Sequence, residues 1–305
     1  MARIMVLGAN PAWQKNATCA KLANGNVVRI RPAQTGAAGK GFNCASALRR
    51  LGKAPLLLSG IGTDAREWED ACRAEGIELL GFPLAGRIRQ ALTLRDLETN
   101  EVTELVEEGP PAADGAQRIV EDALGRELSS PLCCCGTLAP GLDAEGIFSV
   151  VATRTGIVVI DSLPLVRAAL SARQTPARMV LKLNESEWTH LVGHDLKSSW
   201  NVVRTSLPKA RLVATRGAGG SMASQPGAKS ISILAPMLPL GTTVHPIGAG
   251  DAYTAGLVDG LSDGMELAEA CRRAAALARA SCLDPLPARF SPEDFEESLE
   301  LVYHA

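Results

Sequence analysis

The stretch Pro246-Ile247-Gly248-Ala249-Gly250-Asp251-Ala252-Tyr253-Thr254-Ala255-Gly256-Leu257 passes from small residues into a helical pattern. After Asp251 the spacing is that of one buried helix face (Thr254, Leu257, Val258, Leu261). Asp251 is therefore expected in the first helical turn, near the positive end of the helix dipole. Glycines flank the backbone N–H groups of Ala249, Gly250 and Asp251, so we expect three free donors that form an anion site.

A carboxylate beside an anion site suits phosphoryl transfer. Asp251 can take a proton from an attacking hydroxyl while the backbone amides hold the moving phosphoryl group. For this stretch alone, a tight loop with an Asp cap is an equally good interpretation. The other motifs of the chain are needed to distinguish a phosphoryl-transfer site from a capped loop.

Composition excludes several classes of protein. The 305 residues are 46% hydrophobic and 21% charged, with a formal net charge of −2, which argues against nucleic acid as a partner. No apolar run approaches the roughly 20 residues of a membrane span, and the N-terminus is not a signal peptide, so a cytoplasmic protein is expected. Eight cysteines without a C-x-x-C pair indicate neither a disulfide framework nor a zinc site.

The order of strands and helices predicts an α/β fold. Strands are expected at 132–135, 157–161, 179–183 and 211–215, with helices near 114–128, 144–154, 164–172, 185–192 and 197–206. Such alternation predicts a mostly parallel central sheet with helices on both faces. Segments 16–35 and 86–108 carry hairpin patterns instead and predict a small β-sheet lid on a single domain spanning 1–305.

Three more polar stretches are candidates for a binding site. Gly36–Asn43 is rich in glycine and opens a helix, Lys182–Glu187 follows a predicted strand, and Thr215–Gly220 follows another. Open α/β sheets bind ligands at the carboxyl ends of their strands. Taken singly, helix capping by Asn184 and a hairpin turn at 215–220 remain alternatives. The chain lacks a P-loop and an early G-x-G-x-x-G, which excludes P-loop proteins and disfavours dinucleotide oxidoreductases.

Together these motifs resemble the ribokinase-like sugar kinases, and within them the phosphofructokinase-B branch. The resemblance spans nearly the whole chain and rests on these matches: Asn10-Pro11-Ala12, Gly39–Asn43, Arg89, Gly136–Gly141, Asp161-Ser162, Lys182–Glu187, Thr215–Gly220 and Gly248–Asp251. It implies ATP-dependent, Mg²⁺-requiring phosphoryl transfer to a sugar phosphate. It also implies a homodimer through the lid.

The resemblance further implies a role for each matched residue. Asp251 would be the catalytic base, with Gly248, Ala249 and Gly250 forming the anion hole. The sugar phosphate would be bound by Gln14, Gly39, Lys40, Asn43 and Arg89. The ATP site would comprise Asn184, Glu187, Thr215, Gly217 and Gly220, with Glu187 reaching Mg²⁺ through water.

The departures from the family pattern concern the acceptor side. Gln14 stands where an acid is usual, and Ala38, Ala91 and Leu163-Pro164 replace a glycine, an asparagine and a glycine-containing turn. Kinase chemistry is therefore expected, whereas the acceptor sugar stays open. The competing hypotheses are a kinase of an unphosphorylated sugar or nucleoside, and a non-catalytic sugar- or nucleotide-binding relative.

Overall fold

The structure is a computed structural model that describes residues 3–31, 34–176, 178–193, 195–239, 241–242 and 244–304. Its strands are β1 Arg3–Gly8, β2 Ala12–Cys19, β3 Gln34–Ala38, β4 Ala54–Ile61, β5 Glu78–Pro83, β6 Arg89–Asp96, β7 Val102–Val106, β8 Leu132–Cys135, β9 Val158–Asp161, β10 Met179–Asn184, β11 Arg211–Thr215, β12 Ser221–Ser224, β13 Ile231–Leu234 and β14 Tyr303–His304. Its helices are α1 Lys40–Arg50, α2 Ala65–Ala74, α3 Ala116–Leu124, α4 Ala144–Val151, α5 Leu163–Ala172, α6 Glu185–Val192, α7 Leu196–Ser206, α8 Ala249–Ser262, α9 Leu267–Ser281 and α10 Pro292–Leu301.

The main sheet has the order β14-β13-β12-β11-β10-β9-β8-β1-β4-β5. All pairings from β11 to β5 are parallel, and the last three strands add antiparallel pairings at the opposite edge. Its central strands are apolar and fully buried, as in the Leu132–Cys135 strand, because helices cover both faces. The predicted mostly parallel α/β fold is confirmed. Strands β5 and β14 were not predicted.

A separate four-stranded sheet has the order β3-β2-β6-β7 and forms the lid. The hairpin expected within 86–108 is β6 with β7, paired antiparallel. The first lid strand begins at Ala12, earlier than the expected 16, and pairs in parallel with β6. Residues 32–33 of the expected segment 16–35 lie outside the described residues. Near Val27–Ile30, where extended chain was expected, the structure has a single bridge between Ile30 and Cys19.

Asp64 ties the lid to the main body. One oxygen of this buried carboxylate accepts a hydrogen bond from Trp13 Nε1 at 2.6 Å, and the other accepts from Ile88 N at 3.0 Å. Trp13 lies in β2 and Ile88 immediately precedes β6, so one side chain holds both central lid strands. The Trp13 ring also packs edge-on against Trp68 in α2, with ring centroids 5.5 Å apart.

Close backbone contact fixes the start of α1 against the end of β1. A Cβ atom on Gly41 would lie 2.3 Å from Gly8 Cα, a distance that no side chain can occupy. Glycine at both positions therefore allows the N-terminal turn of α1, with Lys40 and Asn43, to lie at the carboxyl end of the central strand.

Two further findings bear on the protein class. Within the described parts of the chain, every helix is too short or too polar to span a membrane. All eight cysteines are free thiols, and seven of them are buried. The triplet Cys133–Cys135 lies inside β8, where the thiols act as small hydrophobic groups, as the sequence predicts.

Candidate active site

The carboxyl ends of the parallel strands bring the candidate residues to one edge of the main sheet. In neighbouring strands Cys135 pairs with Asp161, and Asn184 pairs with Thr215. A cavity at this edge is lined by the ends of β1 and β8, the start of α1 and the lid (Gly8, Asn10, Pro11, Gly39, Lys40, Gly41, Phe42, Ser59, Arg89, Cys135, Gly136, Thr137). Gly39, Lys40 and Arg89 are thus brought together, as the sequence predicts.

Asp251 is a buried carboxyl in the first turn of α8, with 7% of its surface exposed. Asn43 Nδ2 donates a hydrogen bond to Asp251 Oδ2 at 2.7 Å, which orients the carboxyl toward α1. Burial raises the pKa of Asp251 to about 6, although the Lys40 ammonium partly offsets this effect. A carboxyl with this pKa is ionised at neutral pH and is a better proton acceptor than an ordinary aspartate.

The loop before Asp251 offers fewer free donors than expected. Gly248 adopts a left-handed backbone with φ 84°, which starts α8. The N–H groups of Ala249 and Asp251, expected to be free, donate to Pro246 O at 3.2 Å and Gly248 O at 3.0 Å because the turn closes on itself. Within the described residues, Gly250 N has no acceptor and remains available to an anion at the positive end of the helix.

A buried ion-pair network centred on Asp161 lies beneath this loop. Asp161 accepts hydrogen bonds from Lys182 Nζ at 2.8 Å, Thr254 Oγ1 at 2.9 Å and Lys40 Nζ at 3.3 Å. Burial alone would raise the pKa of Asp161, but the Lys182 and Lys40 ammonium groups outweigh it and hold that pKa below its ordinary value. Lys182 Nζ also donates to Gly250 O at 3.1 Å, so the network supports the anion loop directly.

Sequence reasoning assigned no role to Asp161 or Lys182, although both lie in motifs that carry the family resemblance. A signal was present: each is a charged residue in a strand whose preceding residues are apolar and fully buried. Charged side chains are rarely buried unless they are paired, so two oppositely charged ones on neighbouring strands indicate contact.

Lys40, which the sequence assigns to the sugar phosphate, lies beside two carboxylates. Its Nζ lies 3.3 Å from Asp161 Oδ1 and 3.0 Å from Glu187 Oε1, so two carboxylates neutralise it. Although burial opposes the effect, these carboxylates raise the pKa of Lys40. Lys40 therefore lines the same cavity as Arg89, but its ammonium group contacts carboxylates on the side of the cleft where β9 and β10 end.

Among the described residues that line the cavity, Arg89 is the cation that has no carboxylate partner. Its guanidinium donates to the carbonyl oxygens of Asn10 at 3.2 Å, Pro11 at 3.3 Å and Glu107 at 3.4 Å. Among the described residues it forms no ion pair with a carboxylate. Partial burial lowers the pKa of Arg89, as expected for a cation that lacks a counter-ion. Such a guanidinium is suited to bind an anion that enters the cavity.

The predicted nucleotide residues cluster at the ends of β10 and β11. Asn184 Oδ1 accepts from Glu187 N at 2.8 Å and Glu187 Oε2 accepts from Asn184 N at 2.9 Å, which is a capping box at the start of α6. Gly217 and Gly220 lie in the turn between β11 and β12, closed by Arg216 N donating to Gly220 O at 2.8 Å. The capping and hairpin alternatives thus describe the local geometry, and both features lie beside the cleft.

Gln14 and the other departures lie mostly away from the cavity wall. Gln14 is 8% exposed and its amide nitrogen donates to Thr93 Oγ1 within the lid. Ala38 and Ala91 are buried lid residues, and Leu163-Pro164 begin α5. Gln14 therefore does not line the cavity, and its contact with a sugar phosphate stays a prediction.

A comparison with known families gives the class of protein to which this cleft belongs. A sequence model of the pfkB family carbohydrate kinases matches residues 1–294, so this chain belongs to that family and is a carbohydrate-phosphorylating enzyme.

Similar proteins agree with this assignment. The 1-phosphofructokinase of Rhodobacter capsulatus is 28% identical over 288 residues, covering 90% of this chain and 88% of the relative. That of Xanthomonas campestris pv. campestris is 29% identical over 310 residues, covering 96% and 95%. Among solved structures, Escherichia coli phosphofructokinase-2 in complex with substrates and products superposes with a TM-score of 0.86 at 20% identity, over 98% of this chain and 99% of that one. At that identity the superposition shows a shared fold.

The raised pKa of Asp251 predicts a stability cost. Because the folded protein binds this proton more tightly than the unfolded chain, ionised Asp251 destabilises the fold above pH 3.8, fully so above about pH 6. A shift of about two units corresponds to about 3 kcal/mol. Asp251→Asn should therefore raise the free energy of unfolding at pH 7.5 by up to that amount, measured by urea denaturation.

The gain should shrink as the pH falls through about 6 and vanish below pH 3.8, where the wild-type carboxyl is protonated in both states. The exposed Asp114→Asn serves as the matched control and should change little at either pH. A variant no more stable than the wild type at pH 7.5 would contradict the raised pKa.

Proposed function

We propose that this carbohydrate kinase transfers the γ-phosphoryl group of ATP to a hydroxyl of a sugar that already carries a phosphate, the type of acceptor that the name of its 1-phosphofructokinase relatives implies. The observation that carries the proposal is the separation of charges in the cleft. Lys40 is neutralised by carboxylates, whereas Arg89 is a cavity-lining guanidinium with carbonyl partners alone among the described residues.

Asp251 acts in this proposal as the general base. Its carboxylate accepts the proton of the attacking hydroxyl, and the amide of Asn43 holds it in position at 2.7 Å. Removal of the proton makes the hydroxyl oxygen a nucleophile, a contribution typically worth about 10²–10⁴-fold in rate. The Gly248–Gly250 loop, with the free Gly250 N–H and the α8 dipole, stabilises the negative charge of the transferred group.

Lys40 and Lys182 hold the charges of the reacting groups in place. Lys182 contacts both Asp161 and Gly250 O, so it fixes the orientation of the anion loop. Lys40 lies between Asp161 and Glu187, where its ammonium faces the region between the anion loop and the predicted nucleotide residues. Phosphoryl transfer depends on such positioning and charge neutralisation more than on covalent chemistry.

We assign the nucleotide to Asn184, Glu187, Thr215, Gly217 and Gly220, which lie at adjacent strand ends. In the described residues no group of three or more His, Cys, Asp or Glu side chains could hold a metal ion. A lone carboxylate, Glu187, fits a Mg²⁺ that is held mainly by nucleotide phosphates and water, with Glu187 contacting it through water. When bound, Mg²⁺ would neutralise the charge of the phosphates.

The acceptor phosphate is assigned to Arg89. A guanidinium that is partly desolvated and lacks a carboxylate partner gains most from a phosphate, with which it can make two parallel charge-assisted hydrogen bonds. Gly39 and Lys40 line the same cavity, so a sugar bound to Arg89 would lie between the lid and the start of α1. Asn43 and Asp251 adjoin that position.

The acceptor assignment predicts a selective defect in Arg89→Ala. Charged hydrogen bonds are worth about 1.5–3 kcal/mol, so KM for the sugar phosphate should rise about 10- to 100-fold while KM for ATP changes little. Coupled ADP-release assays with fructose 1-phosphate, fructose 6-phosphate, tagatose 6-phosphate, free fructose and ribose measure both constants. Arg87→Ala, an exposed arginine two residues earlier, is the matched control.

Each competing hypothesis has its own outcome in that assay. Free fructose or ribose as the best acceptor would indicate a kinase of unphosphorylated sugars, and unchanged acceptor KM in Arg89→Ala would remove the phosphate contact. Absence of turnover with every acceptor would favour a non-catalytic relative.

We further propose that the chain is one domain spanning 1–305, works in the cytoplasm where its substrates occur, and forms a homodimer through the lid. The outer lid face is apolar: Ala17, Cys19 and Leu94 form a small cluster of their own. Leu105 and Val27 remain exposed there at 59% and 84%. A small sheet with such a face is stabilised by a second subunit.

The dimer predicts a mass of twice 32.0 kDa by light scattering at micromolar concentration. Leu105→Glu should shift the protein toward the monomer because it places a charge in the apolar contact. Val202→Glu, a similarly exposed residue of α7 away from the lid, should leave the mass unchanged. A wild-type monomer would contradict the proposal.

A further inference from the structure

One face of the lid sheet is directed toward the cleft. Side chains alternate along a strand, so Arg89, Ala91, Thr93 and Arg95 of β6 share a face. Arg89 lines the cavity, and the Arg95 guanidinium donates a hydrogen bond to Val244 O, just before the anion loop. The two ends of this face therefore both contact the main body, and Ala91 and Thr93 lie between them on the same face, outside the lining of the cavity.

Strand register adds two residues to the cleft-facing side. Gln14 of β2 lies beside Ala91, and Glu104 of β7 lies beside Thr93. Directly paired residues of neighbouring strands project to the same side of a sheet. Gln14, Thr93 and Glu104 consequently form a polar row across three lid strands, on the face of the sheet that carries Arg89.

The polar row is a directed chain of hydrogen bonds. Gln14 Nε2 donates to Thr93 Oγ1, and Thr93 Oγ1 donates to Glu104 Oε1 at 3.2 Å. Gln14 Nε2 also approaches Glu104 Oε1 at 3.5 Å. Gln14 and Thr93 are 8% and 7% exposed, so two nearly buried groups orient a carboxylate that is itself exposed.

The polar row ends in acceptors that lack donors. Among the described residues, Glu104 Oε2 and Gln14 Oε1 accept no hydrogen bond. Both donors on the row, the Gln14 amide and the Thr93 hydroxyl, are already directed at neighbours within it. What the row offers to the cleft is therefore hydrogen-bond acceptors, one of them charged, and these match the hydroxyl donors of a sugar.

We propose that Glu104 determines acceptor specificity: its carboxylate, with the Gln14 amide oxygen beside it, accepts hydrogen bonds from hydroxyl groups of the sugar. This inference rests on the proposed function and specifies which part of the lid recognises the sugar. The carboxylate is provided by β7, and Gln14 and Thr93 orient it.

An isolated surface carboxylate on an edge strand would behave differently. Such a carboxylate is solvated by water rather than hydrogen-bonded by nearly buried side chains, and its removal usually changes the stability of the protein little. Glu101, at the exposed turn between β6 and β7, is a carboxylate of that kind and provides the matched control.

The test compares Glu104→Gln with Glu101→Gln in steady-state kinetics. Loss of charged hydrogen bonds predicts that Glu104→Gln raises KM for the preferred sugar phosphate about 10- to 100-fold, with KM for ATP unchanged. Thr93→Val, which frees the carboxylate from its hydroxyl partner, should raise the same constant by a smaller factor. Glu101→Gln should match the wild type.

Deoxy analogues of the sugar phosphate separate recognition from general damage to the lid. Wild type should discriminate against the analogue that lacks the recognised hydroxyl, and Glu104→Gln should lose that discrimination while retaining discrimination against the other analogues. Equal KM values in Glu104→Gln and Glu101→Gln, or discrimination unchanged for every analogue, would overturn the inference and leave the proposed function intact. Failure of the wild type to phosphorylate any sugar phosphate would overturn both.

Discussion

The buried carboxylate of Asp161 is the interaction on which the cleft depends. It joins Lys40 from α1, Lys182 from β10 and Thr254 from α8, and so fixes three separate elements around one point. Two ammonium groups this close to each other would repel without the carboxylate, and a buried charge that loses its partner is strongly destabilising. The fold therefore supplies the network from two neighbouring strands and two helices, whose backbone geometry holds each group in place.

This network also affects the pKa of Asp251, the residue proposed as the general base. Burial raises the pKa of Asp251 to about 6; the nearby Asp161 carboxylate adds to that rise, whereas the Lys40 and Lys182 ammonium groups oppose it. Because Lys40 is paired with carboxylates, Arg89 is the cation, among the described residues that line the cavity, that remains available to an incoming anion at the lid end. In the proposed function, the charge on the nucleotide side, the proton acceptor and the charge on the sugar side are thus provided by separate residues, Lys40, Asp251 and Arg89.

Local pattern predicted the fold well and the pairing of charges poorly. Apolar runs such as 132–135 and 211–215 identify strands because burial on both faces leaves no polar position. The start of the first lid strand was missed because its residues, Ala12–Cys19, mix polar and apolar types without strict alternation. The contact of Lys40 with Glu187 was not predicted because the two residues are 147 positions apart, and sequence spacing contains no information on such contacts.

The pH dependence of kcat/KM tests the central claim, that the network leaves Asp251 as a general base with a pKa of about 6. Wild type should lose activity about tenfold per pH unit below that value. Asp251→Asn should reduce turnover by about 10²–10⁴-fold and abolish the part of the acid limb that belongs to the enzyme. Any limb that persists in the variant then belongs to the acceptor phosphate. Turnover near the wild-type level in Asp251→Asn, or an identical acid limb in both proteins, would contradict the account.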